Sequence, residues 1–324
     1  MKILARLAVF AMALTSGIAQ AQPAPSGYPN RPVKIIVPFA PSGPTDVTAR
    51  LVAAKLSVLL GQQFYIENQA GAGGNIGMGN AAKAAPDGYT ILFVSSSFVV
   101  NPSLYAKVPY DPFKDFIPIT VVSDAPNMLV VHPSVAATSV KELVALIKAH
   151  PGTYSFASAG TGTTPHLSGE LFKLASNLDL VHVPFGGAGP AVQSMVAGHT
   201  LIAFTSLPPS LPFVKDGKLR ALAVAAKTRN AALPDVPTLE EAGFPDQEAD
   251  TFQAMLVPAG TPKEIADLLY RTVLKIVAMP DVKERLAALG FDPVANSPEE
   301  FATQIKVEIA KWVKVIKSAD IKVE

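Results

Sequence analysis

The chain has 324 residues, nearly half of them apolar, with 27 basic against 26 acidic residues and no cysteine. That length exceeds one comfortable core and suits two α/β lobes. The near-zero charge excludes a basic nucleic-acid surface and a polybasic membrane anchor, and the missing cysteine excludes disulfides, thiolate metal sites and cysteine nucleophiles.

The N-terminus reads as an export signal. Lys2 and Arg6 supply positive charge, Leu7 to Ile18 is an apolar and small-residue run of about 12, and Ala19-Gln20-Ala21 fits a small-x-small cleavage site. Cleavage after about Ala21 is expected to leave 25 basic and 26 acidic residues. No later window is apolar for the length a membrane helix requires. The expected compartment is the periplasm.

After a Pro/Ser/Gly-rich leader, one pattern recurs: a β-branched run, a loop of small residues, then a helix. Val33 to Pro38 leads through Phe39-Ala40-Pro41-Ser42-Gly43 to a helix from Pro44, a residue whose fixed φ and missing N–H suit the first turn. Gln63 to Glu67 leads through a glycine-rich loop to a helix from about Asn75, and Thr90 to Val94 leads into Ser95-Ser96-Ser97. Tyr154 to Ser158 precedes Ala159-Gly160-Thr161-Gly162-Thr163-Thr164 and a helix through Leu171. Leu180 to Val183 precedes Phe185-Gly186-Gly187-Ala188-Gly189 and a helix to about Val196, and Leu201 to Phe204 precedes Thr205-Ser206 and Leu207 to Val214. This alternation predicts parallel sheets with helices on their faces.

Ser139 with Glu142, Thr261 with Glu264, and Ser297 with Glu300 carry the capping-box pattern. In the last helix Phe301, Ile305, Ile309, Trp312, Val313 and Ile316 are expected to form a core-facing stripe. Two apolar extended stretches, Ile119 to Val131 and about Phe252 to Pro258, read as lobe crossings. They place residues 28–124 and 253–324 in one lobe and 125–252 in the other.

Ligands of open α/β sheets sit beyond the carboxyl ends of the strands, where these loops lie. Each loop leads to a helix N-terminus with unpaired N–H groups and a positive dipole end. The stretches 39–46, 69–75, 95–101, 158–164, 185–190 and 204–210 contain neither lysine nor arginine. A bound anion would therefore be held by dipoles and neutral donors. A hydrogen bond to a charged group contributes about 1.5–3 kcal/mol, so four or five match the roughly 8 kcal/mol of micromolar binding before ordering costs. Asp46, third in its helix, either complements the dipole or accepts a bond from a ligand hydroxyl, amine or water.

Enzyme signatures are poor. The five histidines form no helical zinc pair, and no G-x-S-x-G elbow or Walker lysine occurs. Gly77, Gly79 and Ala82 match G-x-G-x-x-A, but inside a helical stretch rather than a strand–helix turn, which argues against dinucleotide binding. His166 beside Thr163 or Thr164 is the one base–nucleophile pair available to a rival reading, an exported enzyme acting on a small acid. No metal and no cofactor are expected.

The loops together resemble the solute receptors of tripartite tricarboxylate transporters, often called the Bug family. The resemblance spans Tyr28 to about Ile316. It rests on Arg31-Pro32-Val33-Lys34-Ile35-Ile36-Val37-Pro38-Phe39, Gly43-Pro44-Thr45-Asp46, Gly71-Ala72-Gly73-Gly74-Asn75-Ile76-Gly77, Pro86-Asp87-Gly88-Tyr89-Thr90, Val183-Pro184-Phe185-Gly186-Gly187-Ala188-Gly189-Pro190-Ala191 and Leu219-Arg220-Ala221-Leu222-Ala223-Val224. It implies a two-lobed type II periplasmic binding fold, each lobe a mostly parallel sheet flanked by helices, that closes on a small carboxylate in the cleft between lobes. In the family the first loop clamps one carboxylate, and the 158–166 and 185–189 loops approach from the other lobe. Ser42 stands where glycine is common, and Thr163-Thr164-Pro165-His166 replaces a serine-rich run, so ligand identity does not transfer.

The candidate ligand-binding residues are Phe39, Ala40, Ser42, Gly43, Thr45, Asp46, Ser95, Ser96, Gly160, Thr161, Thr163, Thr164, His166, Phe185, Gly186, Gly187, Phe204 and Thr205. The phenylalanines, Phe98 among them, either line a pocket wide enough for an aromatic acid or belong to core and hinge. The implied partners are the membrane subunits of the transporter, with a sensor protein as the alternative, and the chain is expected to be monomeric.

Overall fold

The computed structural model describes residues 27–41 and 43–321, so the export signal and Ser42 lie outside the described residues. The chain begins β1 (Val33–Val37), α1 (Pro44–Leu60), β2 (Phe64–Asn68), a 3₁₀ turn at Ala72–Gly74, α2 (Asn75–Ala82), β3 (Thr90–Ser95), α3 (Ser97–Leu104) and β4 (Phe116–Asp124). It continues β5 (Asn127–Val131), α4 (Val140–Ala149), β6 (Ser155–Ser158), α5 (Thr164–Ser176), β7 (Val181–Pro184), α6 (Ala188–Val196), β8 (Ile202–Ser206), α7 (Leu207–Lys215) and β9 (Arg220–Val224). It ends β10 (Gln253–Pro258), α8 (Lys263–Ala278), α9 (Pro280–Ala288), β11 (Asp292–Pro293) and α10 (Pro298–Ser318).

The strands form two sheets, ordered β11-β4-β10-β3-β1-β2 and β7-β6-β8-β5-β9. Both are mixed rather than mostly parallel. The βαβ units give the parallel pairs β1–β2, β1–β3, β6–β7 and β6–β8. β10 in the first sheet and β5 in the second run against these strands, while β4 and β9, antiparallel to β10 and β5, run with them.

Alternation sends each strand's side chains to two helical layers. In the first sheet, Ile35, Phe93 and Met255 pack with α1, α8 and α9, while Leu92, Val94 and Leu256 pack with α2, α3 and α10. In the second sheet, Leu129 and Phe204 face α5, and Met128 and Ala203 face α6 and α7. One core cluster, containing Phe98, Phe156, Phe172 and Trp312, runs through both sheets' helical layers. Phe98 stacks on Tyr110 and meets Phe116 edge-on, so of its two readings the core one holds.

The Ser297 capping box is complete, with the Ser297 side chain accepting from Glu300 N–H and Glu300 accepting from Ser297 N–H. Ser139 likewise accepts from Glu142 N–H, but the Glu142 carboxylate takes the N–H and hydroxyl of Thr138 instead. The Thr261 expectation fails: its hydroxyl donates to Pro258 O, and α8 starts at Lys263 with no side-chain cap. The α10 stripe is corrected at one position. Val313 is 43% exposed and Val315 is buried in its place, because Val313 lies about 100° around the helix from Trp312.

Gly77 and Gly79 are packing glycines. A Cβ on Gly77 would lie 2.8 Å from Pro38 Cβ, and one on Gly79 2.7 Å from Pro109 Cγ. Their string therefore marks the close seating of α2.

The two crossing segments run side by side. Ala125 and Thr251 exchange backbone hydrogen bonds of 3.2 and 2.8 Å, and Asn127 N–H donates to Ala249 O. These bonds make a two-stranded crossing between the sheets. Further links join the halves: Asn230 Nδ2 donates to Asp292 Oδ2 at 2.7 Å, and Thr164 Oγ1 meets Thr251 Oγ1 at 2.5 Å.

Candidate functional site: an uncharged cavity ringed by helix N-termini

A cavity of about 510 Å³ opens between the two sheets. That is a size typical of small-molecule sites. One wall is built by Phe39, Gly43, Pro44, Thr45, Gly73, Ser95, Ser96, Ser97, Asn101, Leu104 and Tyr105. The opposite wall is Ala159 to Pro165 with Gly186, Gly187, Ala188 and Ser206, and Thr251 and Gln253 contribute from the crossing side. No residue of this lining is charged.

The lining includes the starts of five helices: α1 at Gly43, α3 at Ser96, α5 at Thr163, α6 at Gly187 and α7 at Ser206. None of the five has a side-chain cap hydrogen bond. The candidate capping side chains are engaged elsewhere. Thr163 Oγ1 donates to Gly160 O, and Ser96 Oγ accepts from Phe252 N–H while donating to Asp250 O. Five sets of first-turn N–H groups, each at a positive dipole end, thus border one uncharged space, the arrangement that favours an anion.

Two glycines of the 159–164 loop are required by geometry. Gly162 has φ +78°, and a Cβ there would sit 1.9 Å from Leu104 Cδ2 across the cleft. Gly160 has φ +135° and a Cβ site 3.0 Å from Phe185 O. Either change would displace the loop that α5 hangs from.

Eleven of the residues expected from sequence lie in the lining: Phe39, Gly43, Thr45, Ser95, Ser96, Gly160, Thr161, Thr163, Thr164, Gly186 and Gly187. Ala40 is exposed beside it. Asp46 is 2% exposed, its carboxylate accepting from Asn68 Nδ2 and Arg50 Nε, both at 2.9 Å. Asn68 also donates to Phe39 O. Asp46 therefore fixes the first loop from behind and stands outside the lining.

His166 also acts from behind. Its Nδ1 accepts from Gly162 N–H at 3.0 Å, and its ring stacks on His182 at 3.8 Å. Burial, then His182 and Lys173, depress His166 to about 3. Burial and Lys173 depress His182 to about 4. His166 is thus neutral, with the nitrogen a base would need already taken. Phe204 is fully buried between Phe156 and Phe172, Thr205 accepts from Ser210, and Phe185 packs into the second-sheet core. These three were expected at the cleft because they follow strand ends, but β8 continues to Ser206 and carries Phe204 and Thr205 into the layers beneath.

Sequence reasoning missed Leu104, Tyr105, Thr251 and Gln253, and it included Asn101 in the 95–101 stretch without naming it as a candidate. Asn101 is fixed by donating Nδ2 to Gly73 O and Asn75 Oδ1. Among the described residues no cluster suited to a metal ion occurs, and no helix is long and apolar enough to cross a membrane.

Two sheets joined by a paired crossing, with an uncharged cavity between them, define a two-lobed solute-binding protein of the periplasmic binding type. The profile of the family described as "Tripartite tricarboxylate transporter family receptor" matches residues 48–321, and the chain belongs to that family. It is 38% identical to Protein BugT of Bordetella pertussis, an alignment that covers all of this chain and 99% of BugT. The fold matches Rpa4515 of R. palustris with adipate (TM-score 0.84, 35% identity, 91% of this chain and 99% of that one). It also matches MatC of Rhodopseudomonas palustris with bound malate (TM-score 0.80, 33% identity, 89% and 100%). Members of this family are receptors for small carboxylates rather than enzymes.

Proposed function

We propose that this chain is a periplasmic receptor that captures a small carboxylate between its lobes and delivers it to the membrane subunits of a tripartite tricarboxylate transporter. The carrying observation is the convergence of five uncapped helix starts on a cavity without a charged side chain. Oriented N–H groups and hydroxyls neutralise the acid without a fixed cation. The adipate and malate of the two related structures are small acids of the same kind.

Residues 28–124 and 253–324 form one lobe and 125–252 the other, turning about the paired segments near Ala125 and Thr251. The ligand touches both walls and stabilises the closed arrangement over the open one, and the transporter reads the closed surface. The lining residues found at the cavity are its binding residues, and the protein works as a monomer. Export through the first 21 residues places it in the periplasm.

Calorimetric titration of the mature chain with aliphatic and aromatic mono- and dicarboxylates tests this. Micromolar, one-to-one binding of at least one acid, released unchanged, is the expected result. Binding of none, or turnover, contradicts it.

A further inference from the structure

Gln253, at the start of β10, lines the cavity and is fully buried, yet neither its Oε1 nor its Nε2 has a hydrogen-bond partner. A buried primary amide with both ends unpaired is rare in folded proteins and calls for a partner that enters later. Several nearby polar side chains already have partners, while Ser123 Oγ, opposite Gln253 on β4, has none. Ser95 and Ser97 hydroxyls bond each other, Thr251 bonds Thr164 and Asn127, and Asn101 bonds Gly73 and Asn75.

The surroundings say what that partner is. A carboxylate oxygen could accept from Nε2 but would face Oε1 with like charge. Among the groups an organic acid carries, a hydroxyl is neutral and the smallest that both donates and accepts.

We propose that the ligand is a hydroxy acid and that Gln253 reads its hydroxyl, while the carboxylate lies at the helix starts. This rests on the receptor reading above. Replacing a buried polar pair member that has no protein partner by an apolar isostere leaves no group newly unpaired in the empty protein.

The test is calorimetry of the mature wild type and Gln253→Met with acids differing by one hydroxyl: malate against succinate, 4-hydroxybenzoate against benzoate, and 6-hydroxyhexanoate against hexanoate. In at least one pair the wild type binds the hydroxylated acid at least tenfold more tightly. Gln253→Met abolishes that preference, losing more affinity for the hydroxylated acid than for the plain one, and melts no lower than wild type without ligand. Gln253→Asn, which keeps the amide but withdraws it, weakens the preference. Acids that bind with no hydroxyl preference in any pair would mean that a water fills the amide, and would overturn the inference while leaving the receptor reading intact. A preference that survives in Gln253→Met, or an equal loss for both acids, overturns it as well. Failure of every acid to bind sinks both.

Discussion

The helix starts at the cavity differ from those of α4, α8, α9 and α10; α2, uncapped at the buried Gly74, resembles them without lining the cavity. α4 and α10 begin with serines that accept from their own first turns. α8 and α9 have no such cap, but they begin at exposed or half-buried positions where water can serve. The five starts in the cavity wall have neither an internal cap nor a charged neighbour in the lining. On the proposed function, capped starts hold the scaffold together and open starts meet the ligand, so the same dipole serves stability in one place and recognition in the other.

Adding a cap where none exists should break this contrast most severely. Thr163 has φ −72° and ψ 155°, suitable for an N-cap, so Thr163→Asp would place a carboxylate on the first-turn N–H groups of α5. It is expected to hold or raise the melting temperature while weakening acid binding by about 100-fold, from lost charged hydrogen bonds of about 1.5–3 kcal/mol plus repulsion. Calorimetry and thermal melts on the same sample check both. Unchanged affinity would mean that α5 does not face the ligand.

Gly162→Ala probes the closed arrangement itself. Its Cβ would overlap Leu104 on the opposite wall, in a backbone region that disfavours side chains. Weaker acid binding by about tenfold or more and a larger small-angle scattering radius with ligand are expected. Pairing it with Leu104→Ala should restore part of the closure.

Removing the existing caps should do the reverse. Ser297→Ala and Ser139→Ala are each expected to cost about 1 kcal/mol of stability with affinity unchanged, as read by denaturant unfolding and calorimetry. A loss of affinity would blur the distinction between scaffold and site.

The smallest effect is a slope with pH. His166 and His182 are depressed to about 3 and 4, so below about pH 6.5 the unfolded chain takes up protons that the folded chain refuses, and stability falls with falling pH. Asp124 and Asp250 are raised to about 6 and 7. From about pH 4 upward the folded chain keeps protons that the unfolded chain has lost, and stability falls with rising pH. The two trends oppose between about pH 4 and 6. Asp250→Asn removes one acid from the balance, so its melting temperature should rise more steeply with pH than that of wild type over pH 4–7. An identical slope would mean that Asp250 does not hold its proton more tightly in the folded chain.

Much of this was legible in the sequence because the same residues set local geometry and chemistry. Gly43-Pro44-Thr45 and Thr163-Thr164-Pro165 announce a helix start, and helix starts border the cavity. The crossings were legible as two apolar extended runs, but their pairing and the cavity's remaining residues were not. Leu104 and Tyr105 end a helix, Asn101 lies inside it, and Thr251 and Gln253 open a run that reads only as apolar strand. Their approach depends on the return of the chain to the first sheet, which no local pattern encodes. The lone glutamine at the head of Gln253-Ala254-Met255-Leu256-Val257 was the available signal, since a polar residue beginning a fully buried strand has something to meet. Phe204 and Thr205 were misplaced for the opposite reason: their strand runs on past them, and strand ends fix what reaches the cleft.

The most direct test is a crystal structure with a bound carboxylate. The account predicts carboxylate oxygens within about 3.2 Å of backbone N–H groups in the first turns of at least two of α1, α5 and α6, with no lysine or arginine in contact. An acid held by a cationic side chain, or bound away from these turns, would contradict it.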